Sequence, residues 1–413
     1  MLAVLAFTAC SNDSDEATGN DSHIWHVTLT ASMGDATHRA LSADGKNIAA
    51  NFAQDDEVVV VDADGSTIVG TLKAQTAGES TTLSGVLDAT SLAENEVVTL
   101  RYLSVTPNYD GQKGRLAEIS SYAVGTLKVK TKSPLTFEST SVSLAPQQSI
   151  TKFTFKDGSS DINVKTFGIA APGLVQKGSA TVGAVTGTLS TANTEVYVAL
   201  RNTYTSQQTY SFYIQDNTGN WYTGTKKATL TNGKNYTATV SMTKLSELSS
   251  TEGAVGVIGK LPAIVIDLGE TIGKKAVALM NAGALCPEHY GNYYTFANQS
   301  SGLSNSWYVP SKDEFDALAG KTKEWTTQNG VNGCRFTIGS EKLFLPAAGY
   351  DDGDDNPQDF MYVSEWGYYW SSTPASTDER AISLQFNKVI SGLNTNSSLK
   401  ADGLSVRPFH SLP

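Results

Sequence analysis

Cysteine is almost missing from this chain of 413 residues: there are three, at positions 10, 286 and 334. Metal-type cysteine spacing is therefore absent. Histidine is nearly as scarce, and His23, His26, His38, His289 and His410 are scattered, none near a Ser or Cys in a recognisable catalytic order. The G-x-S-x-G, H-E-x-x-H, phosphate-loop and dinucleotide signatures do not occur; the G-A-V-G-V-I-G run from Gly253 has the wrong glycine spacing. The expectation is a protein that is not an enzyme. Basic side chains fall short of acidic ones, 30 against 41, for a formal charge of −11. Nucleic acid and anionic membrane both demand a basic face, so neither is expected as the main partner. Beyond residue 10 no apolar run is long enough to span a bilayer.

What the chain has in plenty is Gly, Thr, Ser and Tyr, a composition that favours strands and turns. Its length predicts two or three domains, since single cores stop growing well before 413 residues. From Val27 to about Lys130 the pattern is strand-like: HVTLTASM alternates apolar and polar, DDEVVVVDADG is a buried strand running into an Asp-Gly turn, and EVVTLRYLSV is another. Around Ser133-Pro134 the pattern breaks. From Ser246 to Gly259 it gives way to small residues that predict a flexible linker. The stretch from Trp307 to Trp370 differs in texture. Rings, Gly and Pro are packed together there, which predicts irregular loops pinned by aromatic contacts, as in a binding module. One short helix is legible in it: Ser311 and Glu314 form a capping-box pattern after Pro310, and Phe315 and Leu318 share a face.

Two resemblances rest on these phrases. The series WYVPSKDEF, LFLPAAGY, YYWSST and SVRPF, preceded by LPAIVIDLG and GKKAVALMNAGALCPEHYGNYY, resembles the Fibrobacter succinogenes major paralogous domain, related to C-type-lectin-like folds. It covers roughly Leu261 to Phe409 and implies a surface-exposed, lectin-like binding domain. In the first half THRAL at Thr37, Asp55-Asp56 before a valine strand, LSGVLD, and YDGQKGRL at Tyr109 resemble fimbrillin-family proteins of the Bacteroidales. SLAPQQSITKFTF resembles the strand that opens their second half, and EVYVALRN, YSFYIQDNTGNWYTGTKKATL and NGKNYTATVSMTKL its closing strands. That family implies two transthyretin-like β-sandwich units that polymerise by strand exchange. An arginine-specific protease cuts after the first strand, the strand leaves, and a neighbouring subunit fills the groove; the matching bond here is Arg39-Ala40. Formylglycine-generating chemistry, found on a related fold, needs a paired-cysteine motif that Cys286 and Cys334 do not reproduce.

The first ten residues look like the end of a secretory apolar region, and FTAC at Phe7 resembles a bacterial lipobox. Cys10 is then a lipidated N-terminus with an acidic tether behind it, or else an unmodified residue in an ordinary apolar start. The missing basic region suggests a true start further upstream. In an oxidising compartment Cys286 and Cys334 are either a disulfide, contributing about 4 kcal/mol by loop closure, or two buried thiols.

Candidate ligand residues gather after the LPAAGY turn. Asp351, Asp352, Asp354 and Asp355, with Asn356 and Asp359, offer the hard oxygens calcium takes, although Gly353 is misplaced for an EF-hand; the other reading is a solvated acidic loop. Trp366, Tyr368, Tyr369 and Trp370 offer rings that could stack on sugars while nearby carboxylates accept hydroxyl protons; Tyr350, Tyr362 and Trp366 are the candidate ligand contacts, with Tyr362 and Trp366 expected at the surface. Tyr369, Trp370 and Arg407 are expected to be structural.

The expected architecture is mainly β: a tether over 1–26, sandwich units over 27–134 and 135–247, a linker over 248–260, and an α+β C-type-lectin-like domain over 261–413. The function implied is an exported fimbrial tip or accessory adhesin at the cell surface, anchored by lipid in the outer membrane before assembly. Its partners would be other pilin subunits and a host, matrix or bacterial ligand, a glycan among the candidates. The alternative is a monomeric surface lipoprotein that binds polysaccharide.

Overall fold

The computed structural model describes residues 23–33, 43–44, 47–48, 51–102, 108–119, 122–177, 180–181, 183–303, 306–352, 360–389 and 394–412. Strands dominate, and the single α-helix among the described residues is the one the capping box marked, α1 at Lys312–Ala319. The Ser311 side chain accepts from the Glu314 amide, the Glu314 carboxylate accepts in turn from the Ser311 amide, and Phe315 and Leu318 are buried beneath it.

Eight strands of the first 146 residues form one sheet: β1 (Ile24–Met33), β2 (Glu57–Val61), β3 (Ile68–Ala74), β4 (Ser80–Asp88), β5 (Val97–Tyr102), β6 (Ala123–Lys132), β7 (Leu135–Phe137) and β8 (Ser141–Pro146), with Ala43–Asp44 and Asn47–Ile48 paired apart from it. Their order is β8-β1-β4-β3-β2-β5-β6-β7, and β8 also pairs with β6, so the sheet closes on itself around its core. Alternation does the sorting: Val27, Leu29 and Ala31 of β1 point inward with Leu83, Leu87, Leu100 and Leu144.

The second sheet contains β9 (Ser149–Asp157), β10 (Val164–Ala170), β11 (Ala184–Asn193), β12 (Glu195–Leu200), β13 (Gln208–Asp216), β14 (Trp221–Ala228) and β15 (Asn235–Lys244). It repeats the strand plan of the first. As β1 lies antiparallel to β4 and parallel to β8, so β9 lies antiparallel to β12 and parallel to β15. One pairing is missing: β3 bonds β4 in the first sheet, whereas β11 and β12 are not joined in the second. The crossover 108–119 fills that gap. The Gln112 amide donates to Thr186 on β11 and its carbonyl accepts from Thr188, while its side chain exchanges two bonds with Ala199 on β12. Tyr109 and Ile119 are buried in the second core.

Two expected borders move. The strand opening the second sheet was expected in SLAPQQSITKFTF after a break at residue 134, but Ser133-Pro134 is only the turn between β6 and β7. Ser141–Pro146 pairs with β1 and β6, so the sheets change at residues 147–148. The expected flexible linker over 248–260 is tied down. Val255–Ile258 (β16) pairs with Leu261–Asp267 (β17), Val257 donates to Ser246 and Leu248 donates to Val257. Trp221 of the second sheet donates to the Lys260 carbonyl, and Trp307 beyond it donates to Gly259. Small residues here serve close packing: a Cβ on Gly256 would meet the backbone of Leu248 at 2.8 Å.

The remaining chain builds smaller sheets about its own core of Ile264, Phe315, Phe336, Leu345, Tyr369 and Phe409. It adds β18 (Lys274–Ala278), β19 (Trp307–Tyr308), β20 (Lys323–Gln328), β21 (Val331–Ile338), β22 (Glu341–Pro346), β23 (Tyr350–Asp351), β24 (Phe360–Met361), β25 (Trp366–Pro374), β26 (Arg380–Asn387), β27 (Asn394–Leu399) and β28 (Phe409–Ser411). β28 is hydrogen-bonded between β18 and β19, so the last strand closes the sheet that opens this region. Arg407 is wholly buried and donates 3.0 Å bonds to the Ala278 and Phe344 carbonyls, the structural part expected of it. Cys286 and Cys334 are two free buried thiols. Cys286 packs with Ala170 and Ala184 of the second sheet, and Cys334 lies in the C-terminal core.

Candidate functional site

Strand β25 organises the aromatic surface of the C-terminal region. Period-two alternation sends Gly367 and Tyr369 to the inner face and Trp366 and Tyr368 to the outer one. Gly367 is needed inside because a Cβ there would lie 2.1 Å from the Phe386 ring. Tyr369 stacks on that ring and donates to the Pro346 carbonyl, and Trp370 donates to the Tyr294 carbonyl. Both are fully buried, as expected for structural residues.

The outer face is a run of rings. Trp366 stacks on Tyr368 at 5.7 Å, Tyr368 meets Tyr350 edge-on at 5.1 Å, and Tyr350 stacks on Tyr362 at 6.1 Å. Tyr362 is 46% exposed and Phe360 43%, the latter stacked on Tyr293 at 4.8 Å. Such exposed rings leave faces for a ligand with apolar C–H groups. The three aromatic residues expected as ligand contacts are therefore brought together, with Trp366 and Tyr350 half-buried.

Carboxylates border this face. Asp351 is held by two backbone bonds with Gly403, and Asp352 follows it. Asp402 joins them: burial, and behind it the charges of Asp352 and Asp351, push its pKa up. The Tyr368 hydroxyl is pushed up to about 12, by burial first and then by Tyr350, Tyr362 and Asp402. Asp402 was not singled out as a ligand contact from the sequence. It lies about fifty residues from the acidic run, and the Asp351–Gly403 bridge brings it near.

Asp354, Asp355, Asn356 and Asp359 lie outside the described residues, as do Cys10, Arg39 and Ala40. Among the described residues no three His, Cys, Asp or Glu side chains converge on a metal position. Of the four carboxylates expected to hold calcium, two are described, and Asp351 and Asp352 alone do not make a cage for a cation that takes six to eight oxygens.

A second candidate element is strand β1. It is bonded along nearly its whole length, Ile24–Ser32 against Asp88–Ser80 on one side and Thr30–Met33 against Ser141–Leu144 on the other. Its buried face, Val27, Leu29 and Ala31, carries part of the first core.

Residues 325–409 match a family model described as a domain of unknown function, DUF8237. No curated protein matches the chain. Among solved structures, a candidate cell adhesion protein from Bacteroides ovatus is 15% identical with a TM-score of 0.28, over 53% of this chain and 95% of that one. The tip fimbrial protein Mfa3 from Porphyromonas gingivalis, truncated at its C-terminus, is 9% identical with a TM-score of 0.25, over 49% and 81%. A fimbrial assembly protein from Parabacteroides distasonis is 10% identical with a TM-score of 0.28, over 62% and 95%. At these values neither fold nor role transfers to the present chain.

Proposed function

We propose that this chain is an exported fimbrial subunit of tip or accessory type, joined to its neighbour by strand exchange and carrying a ligand-binding head in the region after residue 246. The sequence resemblances in both halves support this reading. The observation that carries it is the seat of β1, a mid-sheet strand whose loss would leave β4 and β8 as facing edges with unpaired backbone groups and an uncovered apolar trench. Burying Val27 and Leu29 contributes roughly 1.5–3 kcal/mol each, so an empty groove is strongly driven to accept an equivalent strand. The matching cleavage bond, Arg39-Ala40, lies after β1, so a cut there frees the strand without breaking the sheet's other connections.

In this proposal residues 23–146 and 149–245 are two sandwich units, and the C-terminal region is the head that meets a host, matrix or bacterial surface. A lipid on Cys10 would hold the precursor at the outer membrane. Sequencing the mature N-terminus from assembled material tests the scheme. A start at Ala40, lost in Arg39→Ala together with assembly, is the expected result; fibres whose subunits all retain residues 24–33 would sink it. The closed first sheet equally suits a monomeric polysaccharide-binding lipoprotein, for which the mature protein begins at Cys10 and stays monomeric after exposure to an arginine-specific protease.

A further inference from the structure

A second surface of the C-terminal region is a groove of about 540 Å³, open to solvent, between β20 and the start of β25. Two indoles line it. Trp325 is backed edge-on by Phe386 at 6.3 Å, and Trp366 is backed by Tyr368 in a stack. Both are half-buried, so each is fixed from behind while part of it remains accessible. Polar groups complete the lining. Asn332 is clamped, donating to the Ser364 carbonyl at 3.1 Å and accepting from Thr327 at 2.7 Å, and Glu365 and Lys388 stand exposed at the rim.

The backbone that presents Glu365 and Trp366 is unusual. Tyr362 and Ser364 both sit in the left-handed region, at φ 58° and 67°, where side chains other than glycine are disfavoured. The turn is locked there. The amides of Glu365 and Trp366 both donate to the Tyr362 carbonyl, Ser364 donates to Ala347, and its hydroxyl pairs with Tyr290. Strain held by that many bonds is characteristic of sites where a side chain must be aimed.

We propose that this groove is a saccharide-binding subsite, with Trp325 and Trp366 as stacking plates and Glu365, Asn332 and Lys388 as hydroxyl partners. This rests on the reading of the C-terminal region as a ligand-binding head. A sugar ring offers what the groove asks for: C–H faces for fixed aromatic plates, and hydroxyls that both donate to a carboxylate and accept from an ammonium. The volume lies within the range of small-molecule sites. A simple anion would use Lys388 but meet Glu365, and would leave both indoles without a role. A proline-rich peptide would use the indoles and leave most of the polar lining unpaired.

The test uses the full chain on surfaces coated with mucin or with bacterial or host cells, before and after periodate oxidation, and a soluble panel of cellohexaose, mannohexaose and N-acetyllactosamine oligomers read by indole fluorescence. The expected result is periodate-sensitive retention and a fluorescence change with at least one oligosaccharide. Trp366→Ala should weaken binding tenfold or more, and the rim variant Glu365→Ala several-fold with an unchanged melting temperature. Should Trp325→Ala or Trp366→Ala fail to fold, Glu365→Ala and Trp366→Tyr decide. Retention that is equal in all folded variants overturns the groove and leaves the head's binding role standing. Retention that survives periodate, is lost on protease treatment of the surface and falls in the variants replaces the saccharide with a peptide. No retention and no fluorescence change in the wild type overturns both the groove and the head.

Discussion

Asp110 and Glu288 show how single carboxyls tie the parts of this chain together. Asp110 comes from the first half, yet it accepts from the Thr186 hydroxyl on the second sheet and lies 3.0 Å from His289 in the C-terminal region. Burial alone would push its pKa up, but His289, Thr186 and the Gly111 amide outweigh that and hold the carboxyl well below its ordinary 3.8. Its share of stability is therefore present above that value and is lost as pH falls below it. Glu288 behaves in the opposite sense. It is buried, and although Gln328 and Asn329 donate to it at 2.9 and 2.7 Å, burial dominates and raises its pKa above 4.5. A carboxyl of this kind takes up a proton on folding, so stability is whole below 4.5 and declines as pH rises through the raised value. Glu288→Gln, neutral at every pH, should raise the denaturation midpoint at pH 7.5 and leave it near wild type at pH 4.5. Urea titrations at the two pH values check this; equal shifts at both would remove the linkage. Neither role was legible in the sequence, where Asp110 is one residue of a turn and Glu288 one of an aromatic-rich loop.

At the scale of elements, the crossover 108–119 acts as a surrogate pairing for the second sheet. Gln112 serves both β11 and β12, and removing its side chain leaves the Ala199 amide and carbonyl without the partner that covers them. Gln112→Ala should cost roughly 1–3 kcal/mol, the penalty of buried unsatisfied groups, measured by chemical denaturation. Gly187 makes the same junction tight, since a Cβ there would stand 2.5 Å from the Gln112 carbonyl. The helix Lys312–Ala319 was readable because its signal is local: one capping box and one apolar face. The alternating strands around Val27 and Leu100 and the apolar run Val58–Val61 were readable for the same reason, since both patterns are carried by adjacent residues. The border at 134 was misplaced because a proline turn inside a hairpin looks like one between units. Only the pairing of Ser141–Pro146 with β1 and β6 separates the two cases.

For the whole molecule, the question is how the C-terminal region sits on the second sheet. Contact is close: a Cβ on Gly168 of β10 would lie 2.5 Å from the Leu285 carbonyl and 2.9 Å from the Cys286 Cβ. Trp221 packs with Met280 and Ala284 across the same junction. Gly168→Ala should therefore lower stability by roughly 1–3 kcal/mol, the usual cost of overpacking, and loosen the seat of the head. Faster proteolysis within residues 246–260 and faster hydrogen exchange at Leu285 are the expected readouts; an unchanged digestion pattern would show that the junction yields without opening. A head fixed this firmly transmits load to the sheets instead of swinging on a tether, which suits a surface-binding subunit in the proposed role.

The sequence by itself determined the class of structure and where rings would cluster. Alternation, turn residues, the capping box and the aromatic phrases are written in neighbouring positions, and strand or helix formation responds to neighbours. Tertiary structure alone decided which strands meet. It placed β1 between β4 and β8, inserted Gln112 into the open side of the second sheet, and brought Asp402 beside Asp351 and Trp325 beside Trp366. Each of these pairs is far apart in the chain, and its contact depends on the register of other strands, a quantity no local window contains. For that reason the core residues Tyr369, Trp370 and Arg407 and the ring of Trp366 could be told from the sequence, while the meeting of Trp366 with Trp325 across one groove could not.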